Sequence, residues 1–218
     1  MMRVNPRLAA VAAVVVVAPA MSGCGVNAIP TNEERANAAW ADVQAAYQRR
    51  ADLIPNLVAT VEAAAASERA TLTQVIEARS RATSVQLTPE MLNDPAAMQR
   101  FQAAQGELTQ ALSRLLLVAE QYPQIQSNQN FVALQSQLEG TENRINVARR
   151  DYNEAVRVHN TALRTFPTVL WANTIHSGSG PMQPFQANEA AQSAPQVTFN
   201  APAGAAPGSA PPAPTPAK

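Results

Sequence analysis

Phe131-Val132-Ala133-Leu134-Gln135-Ser136-Gln137-Leu138 opens the stretch that decides the fold, because apolar or space-filling residues recur from it in steps of three and four. Phe131, Leu134, Leu138, Thr141, Ile145, Ala148, Tyr152, Ala155, His159, Ala162 and Phe166 keep that step throughout. A helical turn of 3.6 residues gathers such positions into one stripe, and the stripe must be buried against other helices. Asn128 or Asn130 stands where a helix begins, and Pro167 where one stops. The spacing therefore predicts one long helix with a coiled-coil-like seam.

Upstream, Ala97, Phe101, Ala104, Leu108, Ala111, Leu115, Val118 and Tyr122 form a shorter seam closed by Pro123. Leu87-Thr88-Pro89-Glu90 offers it a start, with Thr88 as N-cap, proline at the first helical position and an acid near the positive end. Asn93-Asp94-Pro95 offers a later start of the same kind. Before that, Ala36, Trp40, Val43, Tyr47, Ile54, Leu57, Val61, Ala64, Val75, Ala78 and Ala82 keep one phase straight through Pro55. A helix-interior proline costs about 3 kcal/mol. Leu53-Ile54-Pro55 lacks the polar residues of a reversal, so a kink, or a restart with Asp52 as N-cap, is expected. The fold class is thus all-α: an antiparallel bundle of three to four long helices over residues 31 to 172, the first kinked or divided near Pro55.

Length adds a constraint. At 1.5 Å per residue the first helix, if continuous, would reach roughly 75 Å and the second only about 45 Å. The Trp40 to Tyr47 half must therefore pack on the third helix after a bend, or stand as an exposed stalk that pairs with another subunit.

The two ends differ from this middle. Arg3 and Arg7 precede an apolar run from Leu8 to Ala20, followed by Met21-Ser22-Gly23-Cys24, the lone cysteine. Positive charge, apolar run and small residues make a secretory signal. As a lipoprotein signal, residues 1 to 23 are removed and Cys24 becomes the lipidated terminus, joined to the bundle by a linker over 24 to 30. As an uncleaved signal anchor, Leu8 to Val26 just reaches the roughly 20 residues a spanning helix needs, against Pro19 and Ser22-Gly23. At the other end, residues 173 to 218 are rich in Pro, Ala and Gly, and a largely disordered tail is expected.

Charge excludes a class of partner. Loss of Arg3 and Arg7 leaves 14 basic against 16 acidic side chains, a net charge of about −2, and no basic stripe is interleaved with aromatics. No nucleic-acid partner is expected. Chemistry is equally thin, for neither a Ser, His and acid grouping nor a phosphate loop nor a zinc-helix motif occurs. His159 sits on the seam, where a packed histidine is expected, and His176 has no nearby Cys, Asp or Glu for a metal. No catalytic residue, cofactor or metal is expected. Polar residues beside the seams are the candidate interaction positions: Arg49, Arg50, Asp52 and Asn56 around Pro55, and Asn146, Asn153 and Asn160 at seven-residue intervals. They read either as a solvated flank with local ion pairs, or as residues that fix helix register or face a partner.

Several ordered segments resemble the LemA family. They are Arg49-Arg50-Ala51-Asp52-Leu53-Ile54-Pro55-Asn56-Leu57-Val58, Glu77-Ala78-Arg79, Val118-Ala119-Glu120-Gln121-Tyr122-Pro123, Asn128-Gln129-Asn130-Phe131, Thr141-Glu142-Asn143-Arg144-Ile145, Ala148-Arg149, Asp151-Tyr152-Asn153 and Ala194-Pro195-Gln196-Val197-Thr198-Phe199. The likeness covers about residues 33 to 199. It implies a helical bundle held to the membrane by its N-terminus with the domain outside the cytoplasm. One related branch is associated with magnetosomes. The Met-Ser-Gly-Cys segment and the Pro/Ala tail depart from the family pattern.

The expected function is that of a non-enzymatic cell-envelope lipoprotein, a helical interaction or scaffolding module held by lipid at Cys24 to the cell membrane or outer membrane. The alternatives are a self-assembling structural protein using the Trp40 to Tyr47 stripe, or an accessory subunit of a membrane enzyme or protease. The protein partner is unspecified, and a homo-oligomer is among the possibilities.

Overall fold

Helix α1 spans Ala28–Glu62 without interruption, and Pro55 lies inside it on the exposed face. The restart at Asp52 is not found: Asp52 caps nothing and instead accepts a hydrogen bond from Gln48 at 2.8 Å. The chain reverses later, through residues 63–68, and α2 (Arg69–Ser84) folds back along α1. The reversal occurs in an alanine-rich stretch with no turn signal, so tertiary contacts override local propensity. Ala65 is buried there, and the Tyr122 hydroxyl bonds Glu68 at 2.9 Å and Ser67 at 3.1 Å.

A 3-10 turn (Pro89–Asn93) leads into α3 (Pro95–Ala119), so the later of the two expected starts is used. Asp94 caps it by accepting the Ala96 N–H at 2.8 Å. After the short α4 (Pro123–Gln126), α5 (Gln129–Ala162) begins at an Asn128 cap, whose side chain accepts the Asn130 N–H at 2.9 Å. It ends four residues short of the expected Phe166. A cis Phe166–Pro167 bond and α6 (Thr168–Ala172) follow.

The computed structural model describes residues 25–186, and those up to Phe185 form one unit. All described elements are helical, with no strand among them. Cys24, the signal segment and residues 187–218 lie outside the described residues. Contacts fix the directions of the long helices. Trp40 meets Tyr152 and Arg50 meets Glu142, so α1 and α5 run antiparallel over nearly equal lengths. Arg81 meets Glu107 and Arg114 meets Gln74, so α2 and α3 are antiparallel as well.

The core has two apolar clusters. One holds Ile54, Leu57, Val61, Leu72, Val75, Leu108, Leu115, Phe131 and Leu138. The other, nearer the start of α1, holds Ala36, Trp40, Val43, Tyr47, Leu92, Phe101, Tyr152, Met182 and Phe185. Trp40 is 2% exposed, so the Trp40 to Tyr47 stripe is covered within the chain and forms no stalk. Its cover comes from α5, the start of α3 and an extended segment, residues 180–185. That segment was expected to belong to the disordered tail. Met182 and Phe185 are instead buried, because their side chains complete an aromatic cluster that no helix fills.

Candidate functional site

Two constructions gather the polar residues, and the first separates the apolar clusters. Arg50 follows Tyr47 of one cluster and precedes Ile54 of the other, and Gln105 stands likewise between Phe101 and Leu108. Thr141 and Glu142 lie between Leu138 and Ile145. Arg50, Gln105 and Glu142 meet in one layer, while Thr141 bonds back to the Gln137 carbonyl of its own helix. Arg50, 1% exposed, donates from Nη1 to Glu142 at 2.8 Å and to Thr109 Oγ1 at 3.1 Å, and from Nη2 to the Gln105 side chain. Gln105 passes the connection on, donating to the Ala82 carbonyl at 3.2 Å. A buried cation with several directed partners ties α1 to α3 and α5, while Gln105 adds α2. Arg50 Nε has no acceptor, so the layer is not completely satisfied.

Pro55 gives this region its second polar feature. Lacking an N–H, it leaves the carbonyl four residues earlier, at Ala51, without the helical donor. Arg79 Nε on α2 donates to that carbonyl at 2.7 Å. The exposed residues nearby, Arg49, Asp52 and Asn56, take no part in the layer. Of the four candidates around Pro55, only Arg50 is buried. Gln105, Thr109 and Glu142 as partners of Arg50, and Arg79 as partner of the Ala51 carbonyl, were missed, since contacts between residues far apart in sequence leave no local signal.

The second construction lies along α5. Asn160 accepts the Met182 N–H at 2.9 Å and donates to the Met182 carbonyl at 2.9 Å. Asn153 repeats this with Phe185, at 2.8 and 3.1 Å. Each carboxamide thus satisfies both backbone groups of one residue in an extended segment, as a neighbouring β-strand would. The spacing fits, because seven helical residues rise about 10.5 Å and three extended residues cover about 10 Å. Tyr152 donates to the Gln183 carbonyl at 3.0 Å, and the Gln183 N–H bonds Leu92 at 2.8 Å. His159, fully buried, bonds the Gly180 carbonyl through Nε2 at 3.1 Å, so that nitrogen carries the proton. Asn146, the third of the series, is exposed.

Aromatic contacts lock the same segment. The Phe185 ring stacks on Trp40 at 5.9 Å and meets Tyr152 edge-on at 5.6 Å, while the Arg149 guanidinium lies over the ring, 4.7 Å from its centroid. Burial pushes the Tyr152 hydroxyl pKa strongly up. Tyr47 is also raised, first by burial, with Arg149 and Arg50 pulling the other way.

Neither construction presents a nucleophile to a base. No group of three His, Cys, Asp or Glu side chains suited to a metal occurs among the described residues, and no described helix is long and apolar enough to cross a membrane. The arrangement links the four long helices through Arg50 and Gln105 and bonds an extended segment along α5.

These features define a helical protein with a buried arginine layer and a clamped C-terminal segment. The chain belongs to the LemA family, whose sequence pattern it matches over residues 39–199, a span that takes in both constructions. It is also similar to curated relatives: 27% identical over 157 residues to magnetosome protein MamQ of Magnetospirillum gryphiswaldense, covering 65% of this chain and 58% of the relative. Magnetosome proteins MamQ 2 and MamQ 1 of Paramagnetospirillum magneticum are 28% identical over the same length and with the same coverage. The chain therefore spans less than two thirds of the length of these relatives.

Proposed function

We propose that this protein is a non-enzymatic scaffold of the cell envelope, anchored by lipid at Cys24, with its helical bundle outside the cytoplasm. The observation that carries this reading is the clamp on residues 180–185. A helix that spends two carboxamides, a tyrosine and a histidine on the backbone of a short extended segment is built to hold chain in place.

Direction gives the clamp a purpose. Gly180 lies beside His159, and Ser179 bonds Glu33 at 2.7 Å, near the start of α1. Phe185 lies against Trp40, about 18 Å along α1 from Ala28. The segment therefore runs away from the end where the N-terminal apolar run joins the body. A scaffold of this design stands on a membrane and sends its C-terminal segment outward, leaving Arg49 and Asn56 on its exposed faces to meet a protein partner.

Membership of the LemA family and similarity to magnetosome proteins support a place at a membrane. Self-assembly through the Trp40 to Tyr47 stripe loses its surface, since that stripe is buried within the chain. The test has two arms. Intact mass of the purified mature protein should correspond to a chain beginning at an acylated Cys24, and an unmodified species retaining Met1 would overturn lipidation. Photocrosslinkers at positions 49 and 56 in cells should trap another envelope protein, and recovering only self-adducts would count against the scaffold reading.

A further inference from the structure

Eight large apolar side chains are exposed among the described residues, and three of them fall within ten residues of one another: Phe166 at 80%, Leu170 at 53% and Ile175 at 61%. The other five are scattered over α2, the 3-10 turn, α3 and α5. Single exposed apolar residues are ordinary, but such a concentration in a short segment needs a cause.

The segment sits where the N-terminal chain arrives. A Cβ built on Gly25 would stand 3.1 Å from Thr168 Cγ2 and 3.8 Å from Pro167, and the His176 ring bonds the Val26 carbonyl at 2.9 Å. Gly25 itself holds a φ of +117°, a conformation that only glycine adopts freely, so this close approach suits its residue type. The apolar run that begins at Leu8 ends at Ala20, five residues before Gly25. Five residues span at most about 17 Å. On the lipoprotein reading the distance is shorter still, because Gly25 is bonded directly to the acylated Cys24.

We infer that the end of the bundle formed by residues 25–27 and 163–179 rests in the lipid headgroup region, with Phe166, Leu170 and Ile175 inserted as a second, non-covalent contact to the membrane. The inference rests on membrane anchoring through the N-terminus, and it holds for a lipid anchor and for an uncleaved signal anchor alike. Composition fits that environment. Between Glu154 and Glu189 the sequence contains no acid, while Arg157 pairs with Glu154 and Arg164 adds a positive charge suited to an anionic surface. On the N-terminal side the first acids, Glu33 and Glu34, belong to the second turn of α1, and Glu33 is engaged by Ser179. An anchor at one point of the chain leaves the bundle free to tilt, so a second contact has a physical role: it fixes the orientation of the bundle on the membrane surface.

The two tryptophans report on this directly, since Trp171 lies in the segment and Trp40 is in the core. The full chain, purified from membranes with its anchor, is reconstituted in anionic phospholipid vesicles carrying acyl-chain-brominated lipid. Flotation with quenching of Trp171 is expected, with the quenched component absent from Trp171→Phe. It should also be lost in a Phe166→Ser, Leu170→Gln, Ile175→Gln variant that still floats, because these exposed positions contribute nothing to the core. A chain that floats with Trp171 unquenched overturns the surface contact and leaves anchoring intact. Trp171 shielded from both brominated lipid and aqueous acrylamide means that protein covers the face, and this overturns the contact too. A chain that fails to float overturns both readings.

Discussion

Arg79 on α2 donates through Nε to the Ala51 carbonyl of α1 at 2.7 Å, the acceptor that Pro55 strips of its helical donor. The proline and the arginine are 24 positions apart and act as one device, which lets α1 continue through Pro55 and pins α2 beside it. A buried carbonyl left unpaired costs about 1–3 kcal/mol, so Arg79→Met should destabilise by that amount. Pro55→Ala restores an N–H at the right place. In that background Arg79→Met should cost markedly less, and a double-mutant cycle by urea denaturation measures the difference. Equal costs in both backgrounds would mean that Arg79 acts through packing alone.

The polar layer predicts an asymmetry. Removing the cation in Arg50→Met leaves Glu142 and Gln105 facing an apolar side chain, and breaking a buried pair costs about 3–5 kcal/mol. Glu142 has a side chain 38% exposed, which moves the expectation to the lower end of that range. Glu142→Gln keeps an acceptor for Arg50 and should cost about 1 kcal/mol or less. Denaturant midpoints with unchanged slopes should rank the two variants in that order.

Helix content was legible because the seams repeat often: α5 keeps its step from Phe131 to Ala162, and Asp94 and Asn128 mark two helix starts. The family was legible from segments such as Arg50 to Pro55. The reversal after Glu62 was not, since its alanines favour helix and Pro55 was the more conspicuous interruption. Here the decisive contacts, such as Tyr122 with Glu68, come from residues distant in sequence. The boundary of the tail was misplaced for a related reason. Composition recorded the Gly and Pro of Gly178 to Pro184, but two prolines suit an extended segment as well as a disordered one, and the donors that capture it lie on α5. The seven-residue spacing of Asn153 and Asn160 was visible in the sequence, yet its counterpart, the three-residue spacing of Met182 and Phe185, has meaning only once the two segments lie side by side.

The clamp should fail locally before the body fails globally. Asn153→Leu removes both bonds to Phe185, a loss of about 1–3 kcal/mol, and the neighbouring Asn160 pair is expected to loosen with it. Limited proteolysis should then cut between Gly178 and Phe185 at a protease concentration that spares the parent chain. Hydrogen exchange should rise at Met182 and Phe185 while the α2–α3 pair keeps its protection. An unchanged cleavage pattern, with unchanged oligomeric state and melting cooperativity, would show that the asparagine holds neither the segment nor the register.

Alkaline pH should destabilise the fold through its buried tyrosines. Burial holds the Tyr152 hydroxyl pKa above its ordinary value, and that of Tyr47 likewise despite the opposing arginines. A group whose folded pKa is raised binds its proton more tightly in the folded state. Its stabilising contribution is complete below the unfolded value of about 10 and declines as pH rises beyond it. Each such tyrosine lowers stability by up to about 1.4 kcal/mol per pH unit in that window. Thermal melts above about pH 10 should therefore fall steeply, with tyrosinate absorbance appearing as the chain unfolds. Tyr152→Phe loses the bond to Gln183 and is less stable near neutrality, but its alkaline decline should be shallower by one tyrosine's share. A slope equal to that of the parent chain would place the proton release elsewhere.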